Sequence, residues 1–279
     1  MQSSRISTAV RRLRKATVAG YYYPSGPQQL REELDRLVAE PAAKRQAVAA
    51  IVPHGNYAFS GRIVGRTLGR TVIPRRCIVL GPNHSGAGHP WGLMPAGGYQ
   101  TPLGEVVVDE ALTDALQRES SLLAMDYTAH ANEHAIEVVL PFLQRLGPMD
   151  LSIVPLVIGS DDPVELSSVA TALAEVIRQA AEPVLLVASA DLTHYEPRGQ
   201  VARKDAEFIR AIQTLEVSEI LGRAETLTML TCGGGPIACA VEASRLMGAT
   251  RAELIDYTTS ADAGGDPDSA IGYAGLILN

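Results

Sequence analysis

Three short apolar runs in this sequence each end in a polar turn that carries a histidine. They read AVAAIVPHGNY (47–57), RCIVLGPNHSG (76–86) and PVLLVASADLTHY (183–195). Short β-branched runs that are closed by Pro, Gly or Asn are typical of buried strands in an α/β sheet. Because the ligands of such sheets bind in the loops beyond the strand ends, the pattern predicts one assembled polar or metal site.

Between these runs, helical and strand patterns alternate along the chain. Helices are predicted over 27–40, 61–70, 109–119, 133–146, 163–181, 200–213, 217–222 and 236–247. Strands are predicted over 47–52, 77–80, 151–159, 184–189, 252–258 and 271–278, with a hairpin or edge ribbon in 91–108. Because no linker, low-complexity tract or internal repeat divides residues 1–279, we predict an α/β fold, a three-layer α/β/α single domain with a central mixed, mainly parallel sheet.

Composition and charge narrow the classes of function. The net charge of −7 argues against nucleic acid as a partner, and no apolar stretch is long enough to span a bilayer. Basic side chains are frequent in residues 1–15 but no apolar stretch follows them, so we expect a frayed, solvated segment rather than a secretory signal. Three scattered cysteines make no disulfide framework, which favours a reducing, cytoplasmic setting.

The first two of these turns offer imidazole groups to the predicted site. His84 stands between Asn83 and Ser85, and the glycines around them allow backbone to approach a ligand closely. His54 ends its strand in the sequence VPHGNY, where a lone histidine is more typical of a surface or hydrogen-bonding residue. The local pattern therefore favours His84 over His54 as a binding residue.

The third turn places Asp191 and His194 three residues apart after a very apolar strand. Burying an unpaired carboxylate is costly, so Asp191 needs a metal, a cation or a histidine N–H as its partner. A carboxylate that orients an imidazole is a common device for proton transfer. The alternative is a structural cap on the following turn by Asp191 or Thr193, and the functional interpretation is favoured.

The segment AHANEHAIE (129–137) carries two histidines around a glutamate. The order of His130, Glu133 and His134 matches the inverted zincin pattern, but this run begins at a predicted helix N-terminus where Asn132 can act as the cap. A metalloprotease is therefore disfavoured. His134 is instead a candidate for proton transfer or substrate contact.

Cys232 directly precedes a glycine-rich turn that opens the predicted helix 236–247. A thiol just before a helix N-terminus is expected to have a stabilised thiolate, which makes it a better metal ligand or nucleophile. A cysteine hydrolase that uses one of the histidines as its base is the rival interpretation. Cys77 and Cys239 lie in apolar segments and are expected to be buried hydrophobic residues.

Seven motifs, in this order along the chain, resemble the Memo family (AmmeMemoRadiSam system protein B). That family is related to the catalytic subunits of class III extradiol ring-cleaving dioxygenases. The matching segments are VAGYYYP (18–24), PHGNY (53–57), GPNH (81–84), NEHAIE (132–137), SADLTHY (189–195), CGGGP (232–236) and DYTTS (256–260). The resemblance covers nearly the whole chain, so it bears on the fold as well as on the site.

The resemblance implies a metal centre held by His54, His84 and Cys232. Two imidazoles and one thiolate leave open coordination positions for a substrate or O₂. The ring-cleaving relatives hold Fe(II) with two histidines and a carboxylate, and a thiolate in place of the carboxylate makes copper or zinc more competitive. Iron(II) is the favoured metal, with copper and zinc as alternatives.

The same resemblance implies catalytic roles for three further side chains. His134 and His194 would transfer protons, and Asp191 would orient one of them or contact the metal. The predicted protein is a cytoplasmic redox enzyme of the dioxygenase type that acts with O₂ on a small aromatic or other O₂-reactive substrate. A non-catalytic pocket that binds a peptide or a phosphopeptide is the competing hypothesis, and a zinc-dependent hydrolase is the third.

The sequence departs from the family pattern at two places. Gly55 and Asn56 stand where the family usually has Ala-Gly, and the tail over 260–275 lacks the usual Ser-Gly-Asp. Asn56 adds a polar side chain near the predicted ligands. We therefore expect the metal or substrate preference, and the lining of the far side of the pocket, to differ.

Overall fold

A computed structural model of the chain describes residues 11–38, 43–227 and 231–279. Residues 1–10 of the predicted frayed segment, and the last two positions of the predicted helix 27–40, lie outside the described residues. Within the described ranges, the element types follow the sequence prediction closely, and most bounds differ by only a few residues.

The described strands are β1 (Arg12–Arg14), β2 (Ala49–Val52), β3 (Arg76–Pro82), β4 (Trp91–Leu93), β5 (Gly97–Thr101), β6 (Gly104–Val108), β7 (Ala124–Met125), β8 (Ser152–Ile158), β9 (Val184–Ser189), β10 (His194–Glu196), β11 (Ala252–Thr259) and β12 (Ala270–Leu278). The described helices are α1 (Pro27–Val38), α2 (Tyr57–Gly69), α3 (Glu110–Glu119), α4 (Tyr127–Ala131), α5 (Ala135–Leu146), α6 (Pro163–Gln179), α7 (Arg198–Thr214), α8 (Val217–Thr226) and α9 (Gly234–Leu246). None of these helices is both long and apolar enough to cross a membrane.

One mixed sheet joins the strands in the order β1-β5-β6-β8-β3-β9-β2-β12-β10. From β6 to β2 every neighbouring pair is parallel, whereas β12 runs antiparallel to β2, β10 and β11. The predicted hairpin is present as the antiparallel pair β5–β6. These pairings confirm the mainly parallel mixed sheet.

Successive residues of the central strands enter two different apolar cores, one on each face of the sheet. Cys77 and Val79 of β3 pack with residues of α1, α2 and α5, while Ile78 and Leu80 pack with residues of α3, α6 and α9. Because side chains alternate between the two faces of a strand, a strand buried on both faces reads as a continuous apolar run. The two cores confirm the three-layer α/β/α architecture.

The strands that precede the three histidine-bearing turns are neighbours in the sheet, in the order β3-β9-β2. They run parallel, with Val52 at the end of β2 opposite Ser189 at the end of β9. Their carboxyl ends therefore meet at one edge of the sheet. This topology is the reason that residues far apart in sequence form one site.

The N-terminal basic segment is ordered where it is described, so the prediction of a frayed segment is wrong for residues 11–15. Arg12–Arg14 form a strand that runs parallel to β5. The side chain of Arg14 is fully buried and forms an ion pair with the equally buried carboxylate of Glu137. It also donates hydrogen bonds to the backbone carbonyl oxygens of His130 and Glu133. Complete pairing of the guanidinium is what makes its burial tolerable.

Arg14→Ala should strongly destabilise the fold because it leaves the Glu137 carboxylate buried without its counter-charge. We expect the free energy of unfolding to fall by about 3–5 kcal/mol, measured by urea denaturation. The double variant Arg14→Met/Glu137→Gln removes both charges and should recover part of this loss. Equal stability of Arg14→Ala and the wild type would contradict the structural role given to this ion pair.

Candidate metal centre

All six side chains predicted from the sequence as ligands or catalytic groups line one cavity of about 540 Å³ at the edge of the sheet. The cavity is lined by Tyr22, His54, Gly55, Asn56, Phe59, His84, His134, Asp191, His194, Tyr195, Thr231, Cys232, Ile271 and Tyr273. Imidazole, carboxylate and thiol groups thus share the space with several aromatic rings. The geometry of each polar group decides what it can bind.

His54 follows β2 and is fixed at both its backbone and its ring. Its backbone N–H donates to Asp191 Oδ1 at 2.8 Å, and its Nδ1 lies 3.0 Å from Ser189 Oγ. Because the Ser189 hydroxyl donates its hydrogen to the carbonyl oxygen of Ala135, Ser189 Oγ must accept a hydrogen from Nδ1 of His54. Burial lowers the pKa of His54 to about 4, so the ring is neutral near neutral pH. The lone pair of a neutral His54 therefore lies on Nε2.

His84 is oriented by a buried carboxylate. Glu133 accepts the backbone N–H of His84 at 2.7 Å and lies 2.8 Å from its Nδ1. Burial alone would raise the pKa of Glu133, but hydrogen bonds from His84 and Ala135 and the charge of His84 lower it to about 2. An ionised carboxylate only accepts, so Nδ1 of His84 carries the hydrogen. Burial alone would lower the pKa of His84, but Glu133 raises it, and the ring that binds a metal is the deprotonated one, with its lone pair on Nε2. Carboxylate–histidine pairs of this kind commonly orient metal ligands.

Cys232 precedes α9 and contacts His54, with Sγ 3.3 Å from Nε2. Burial, with the charge of Asp191, raises the pKa of this thiol far above its usual range. The prediction that the helix N-terminus stabilises the thiolate is therefore wrong for the metal-free site, because desolvation and the charge of Asp191 favour the neutral thiol. A bound divalent cation would supply the missing positive charge.

The predicted ligand set of His54, His84 and Cys232 comes together in space. One ligand atom from each side chain lies within 4.8 Å of the others. Two imidazole nitrogens with lone pairs and one sulfur are donors that suit iron, copper and zinc. The donor set therefore fits a transition metal, and nothing in it selects one of the three.

Two further groups of side chains in the same region have metal-binding spacing. Asp191 and His194 lie with Cys232 in one group, and Glu133 and His134 lie with His84 in the other. Both groups share a member with the predicted ligand set. They therefore surround the candidate metal centre rather than form a separate site elsewhere.

Asp191 and His194 are held by different partners than the sequence suggested. Asp191 accepts the backbone N–H of His54, and its Oδ2 lies 3.8 Å from Nε2 of the same residue. Nδ1 of His194 donates to the carbonyl oxygen of Leu192 at 2.7 Å. Asp191 thus holds the backbone of His54, in the turn after β2. The ring of His194 is oriented by a backbone carbonyl oxygen and not by Asp191. The sequence also offered Thr193 as a structural cap on the following turn. In the structure, the Thr193 hydroxyl donates to Asp205 at 2.6 Å.

His134 faces the cavity beside both candidate histidine ligands. Its ring stacks on His84 with centroids 4.7 Å apart, and it meets Tyr22 edge-on at 4.9 Å. Its Nδ1 lies 3.5 Å from Glu133 Oε1. Burial lowers the pKa of His134, which makes it an imidazole base near neutral pH.

His130 takes no part in the cavity. Its Nε2 donates to the carbonyl oxygen of Gly92 at 2.9 Å, and its Nδ1 accepts from the hydroxyl of Tyr99 at 2.8 Å. Burial lowers the pKa of His130 to about 4. The inverted zincin pattern is therefore split, because Glu133 pairs with His84 instead. The predicted helix over 133–146 accordingly begins only at Ala135, whose N–H donates to Glu133.

Several side chains that shape the site were not among the predicted ligands or catalytic groups. Ser189 sets the ring orientation of His54, and Tyr22 and Tyr273 line the cavity from opposite ends of the chain. Asn56 caps α2 and ties this helix to the carbonyl oxygen of Tyr21 at 2.6 Å. Asn56 was expected near the predicted ligands, and its capping role could also have been predicted, because Asn before a helical pattern is a typical N-cap.

Comparison with known proteins gives a consistent family match. The family model described as Memo-like protein matches residues 14–277. A MEMO1 family protein of Methanopyrus kandleri is 34% identical over 278 residues, covering 95% of this chain and 98% of its own. A MEMO1 family protein of Methanosarcina barkeri is 35% identical over 269 residues, covering 95% and 100%. Among solved structures, an uncharacterized protein from Escherichia coli K12 has a TM-score of 0.56 at 12% identity, covering 84% of this chain and 100% of its own, and supports the fold alone.

Glu133→Gln should weaken metal binding without removing a ligand. The variant keeps the shape of the side chain but loses the charge that orients His84, so we expect Zn(II) affinity to fall about 10- to 100-fold. Competition with a chromophoric chelator measures the change. Glu253→Gln, a surface carboxylate paired with Arg45, is the matched control and should bind Zn(II) like the wild type. An unchanged affinity in Glu133→Gln would remove this carboxylate from the metal site.

Metal binding should release a proton from Cys232. The raised pKa keeps the thiol protonated in the metal-free site, whereas the ligand form is the thiolate, so affinity should increase with pH. Calorimetric titration with Zn(II) in buffers of different ionisation enthalpy should give about one proton per metal at about pH 8. Cys232→Ser should lose this release. Equal proton release in both proteins would show that the thiol is not the ionising ligand.

Proposed function

This chain belongs to the Memo family, and on that premise we propose that it is a metal-dependent redox enzyme of the dioxygenase type. The substrate is a small aromatic or other O₂-reactive molecule that enters the cavity at the sheet edge. Both atoms of O₂ would be incorporated into the substrate, so O₂ is the oxidant. We propose iron(II) as the metal, with copper as the closest alternative, and a cytoplasmic location.

The observation that carries this proposal is the fixed direction of two imidazoles toward one thiol. His54 and His84 each donate their Nδ1 hydrogen into the protein, which leaves both Nε2 lone pairs available on the cavity side. With Cys232 they would hold the metal by three donors and leave other coordination positions open. A bound redox metal would relay electrons from the substrate to O₂, which by itself reacts slowly with a closed-shell organic molecule.

The remaining polar residues suit proton transfer. His134 is neutral because burial lowers its pKa, so its ring can take a proton from a substrate hydroxyl. His194 also lines the cavity, where the hydrogen bond from its Nδ1 to the carbonyl oxygen of Leu192 orients the ring, and we assign it the second proton-transfer role. Asp191 holds the His54 turn in place through the backbone N–H, which makes it a positioning residue.

The aromatic lining supports a small planar or apolar substrate. Tyr22, Phe59 and Tyr195 line the cavity together with the polar groups. Apolar and aromatic walls with a few converging polar groups are typical of sites for small molecules. A cavity of about 540 Å³ has room for one such molecule beside a metal.

Metal content and oxygen uptake test the proposal. Protein purified without added metal is analysed for iron, copper and zinc, then loaded anaerobically with Fe(II) and assayed with a panel of catechols. We expect O₂ uptake that matches substrate loss. His134→Gln should keep the metal but lower kcat by about 10²- to 10⁴-fold, the usual contribution of a general acid or base. His89→Gln, which changes a histidine outside the cavity lining, is the matched control.

The alternative functions give different results. Zinc as the only bound metal, with no O₂ uptake in any loaded form, would contradict the proposal in favour of a hydrolase. Absence of a bound transition metal, together with unaltered peptide binding by Cys232→Ala, would favour the peptide-binding module instead.

A further inference from the structure

The last strand contributes a phenol to the cavity. Side chains alternate along β12, so Ile271 and Tyr273 both line the cavity while Gly272 faces α7. A Cβ at Gly272 would stand only 1.6 Å from Asp205 Oδ2, so the strand lies directly against α7 at that point. This close packing holds the strand, and with it the Tyr273 ring, in a fixed place.

Gly55 makes room for that ring. A Cβ placed on Gly55 would stand 2.8 Å from Cε1 of Tyr273 and 2.9 Å from its hydroxyl oxygen. The Tyr273 ring therefore occupies space that any other residue at position 55 would fill. The glycine in the PHGNY turn and the tyrosine in the IGYAG tail belong together, although both lie in segments that depart from the family pattern.

Tyr273 is only 2% exposed as a residue, but its hydroxyl oxygen is not among the fully enclosed polar atoms and therefore reaches the cavity. This hydroxyl makes no hydrogen bond to another described residue. Other buried tyrosines behave differently. Tyr23 donates to Glu137 at 2.6 Å and Tyr57 donates to the carbonyl oxygen of Val138 at 2.7 Å. A hydroxyl that reaches the cavity and has no internal partner is placed to bond to a molecule that enters the cavity.

Burial, together with the negative charge of Asp191 in the cavity lining, raises the pKa of Tyr273. The phenol is thus protonated across the physiological range. It can serve as a hydrogen-bond donor.

We propose that Tyr273 is a substrate-recognition residue whose hydroxyl donates a hydrogen bond to an oxygen atom of the bound molecule. The acceptor is a hydroxyl, phenolate or carboxylate oxygen at the end of the ligand that faces the candidate metal centre. The proposal rests on the proposed function only in taking this cavity as the substrate site. Gly55 is the residue that permits this contact, because a larger residue would displace the ring.

Equilibrium binding of 4-nitrocatechol tests the proposal independently of turnover. Its absorbance change is titrated anaerobically with metal-free and Zn(II)-loaded protein. Tyr273→Phe keeps the ring against Gly55 and removes only the hydroxyl, so we expect about fivefold weaker binding in both forms, the usual effect of losing one hydrogen bond. Its Tm should equal that of the wild type, because no internal partner is lost.

Tyr57→Phe is the matched control, since the same atom is removed from a buried tyrosine that has an internal partner. It should lower Tm but bind 4-nitrocatechol like the wild type. A second probe, 3,4-dimethylnitrobenzene, carries methyl groups in place of the two hydroxyls and should bind Tyr273→Phe and the wild type equally.

Equal affinity of Tyr273→Phe and the wild type for 4-nitrocatechol would overturn the proposal, as would a wild type that does not bind this probe. An equal loss for both probes would also overturn it, because the effect would then come from packing. The binding result can be distinguished from a failure of the proposed function. Weaker binding by Tyr273→Phe together with no O₂ uptake would contradict the redox activity but would support the role of Tyr273 in recognition.

Discussion

The turn that begins α5 holds both candidate histidine ligands in place. Glu133 accepts the Nδ1 hydrogen of His84, and the carbonyl oxygen of Ala135 accepts the Ser189 hydroxyl that faces His54. Each ring thereby donates Nδ1–H into one network and keeps its Nε2 lone pair on the cavity side. A displacement of this single turn would misdirect two ligands at once.

Buried charge on the other side of the turn keeps it from moving. Arg14 binds the backbone carbonyl oxygen of Glu133 and the carboxylate of Glu137, which is one helical turn further along. A buried guanidinium that lacked these acceptors would cost several kcal/mol, on the order of 3–5. The short strand β1 is therefore part of the support of the site, even though its residues do not line the cavity.

The sheet and the ligand types were predictable because both depend on local sequence. A strand buried on both faces has a continuous apolar sequence. His54 and His84 directly follow two such strands, β2 and β3, so their positions can be identified from the sequence. The hydrogen-bond partners of these histidines were not predictable in the same way. Ser189 was visible in the sequence, but its role depends on a carbonyl oxygen of α5 that only the folded chain brings near.

The sequence by itself determined the α/β class, the order of the strands along the chain, and the identity of the polar side chains at the strand ends. Only the tertiary structure decided the burial and the protonation state of individual side chains. It keeps the half-buried Cys232 as a thiol when no metal is bound, although the position before a helix suggested a thiolate. It buries Arg14, although five basic residues within the first fifteen suggested a solvated segment. The physical reason is desolvation: its cost is set by every atom packed around a group, most of them contributed by distant parts of the chain, so no local pattern contains it.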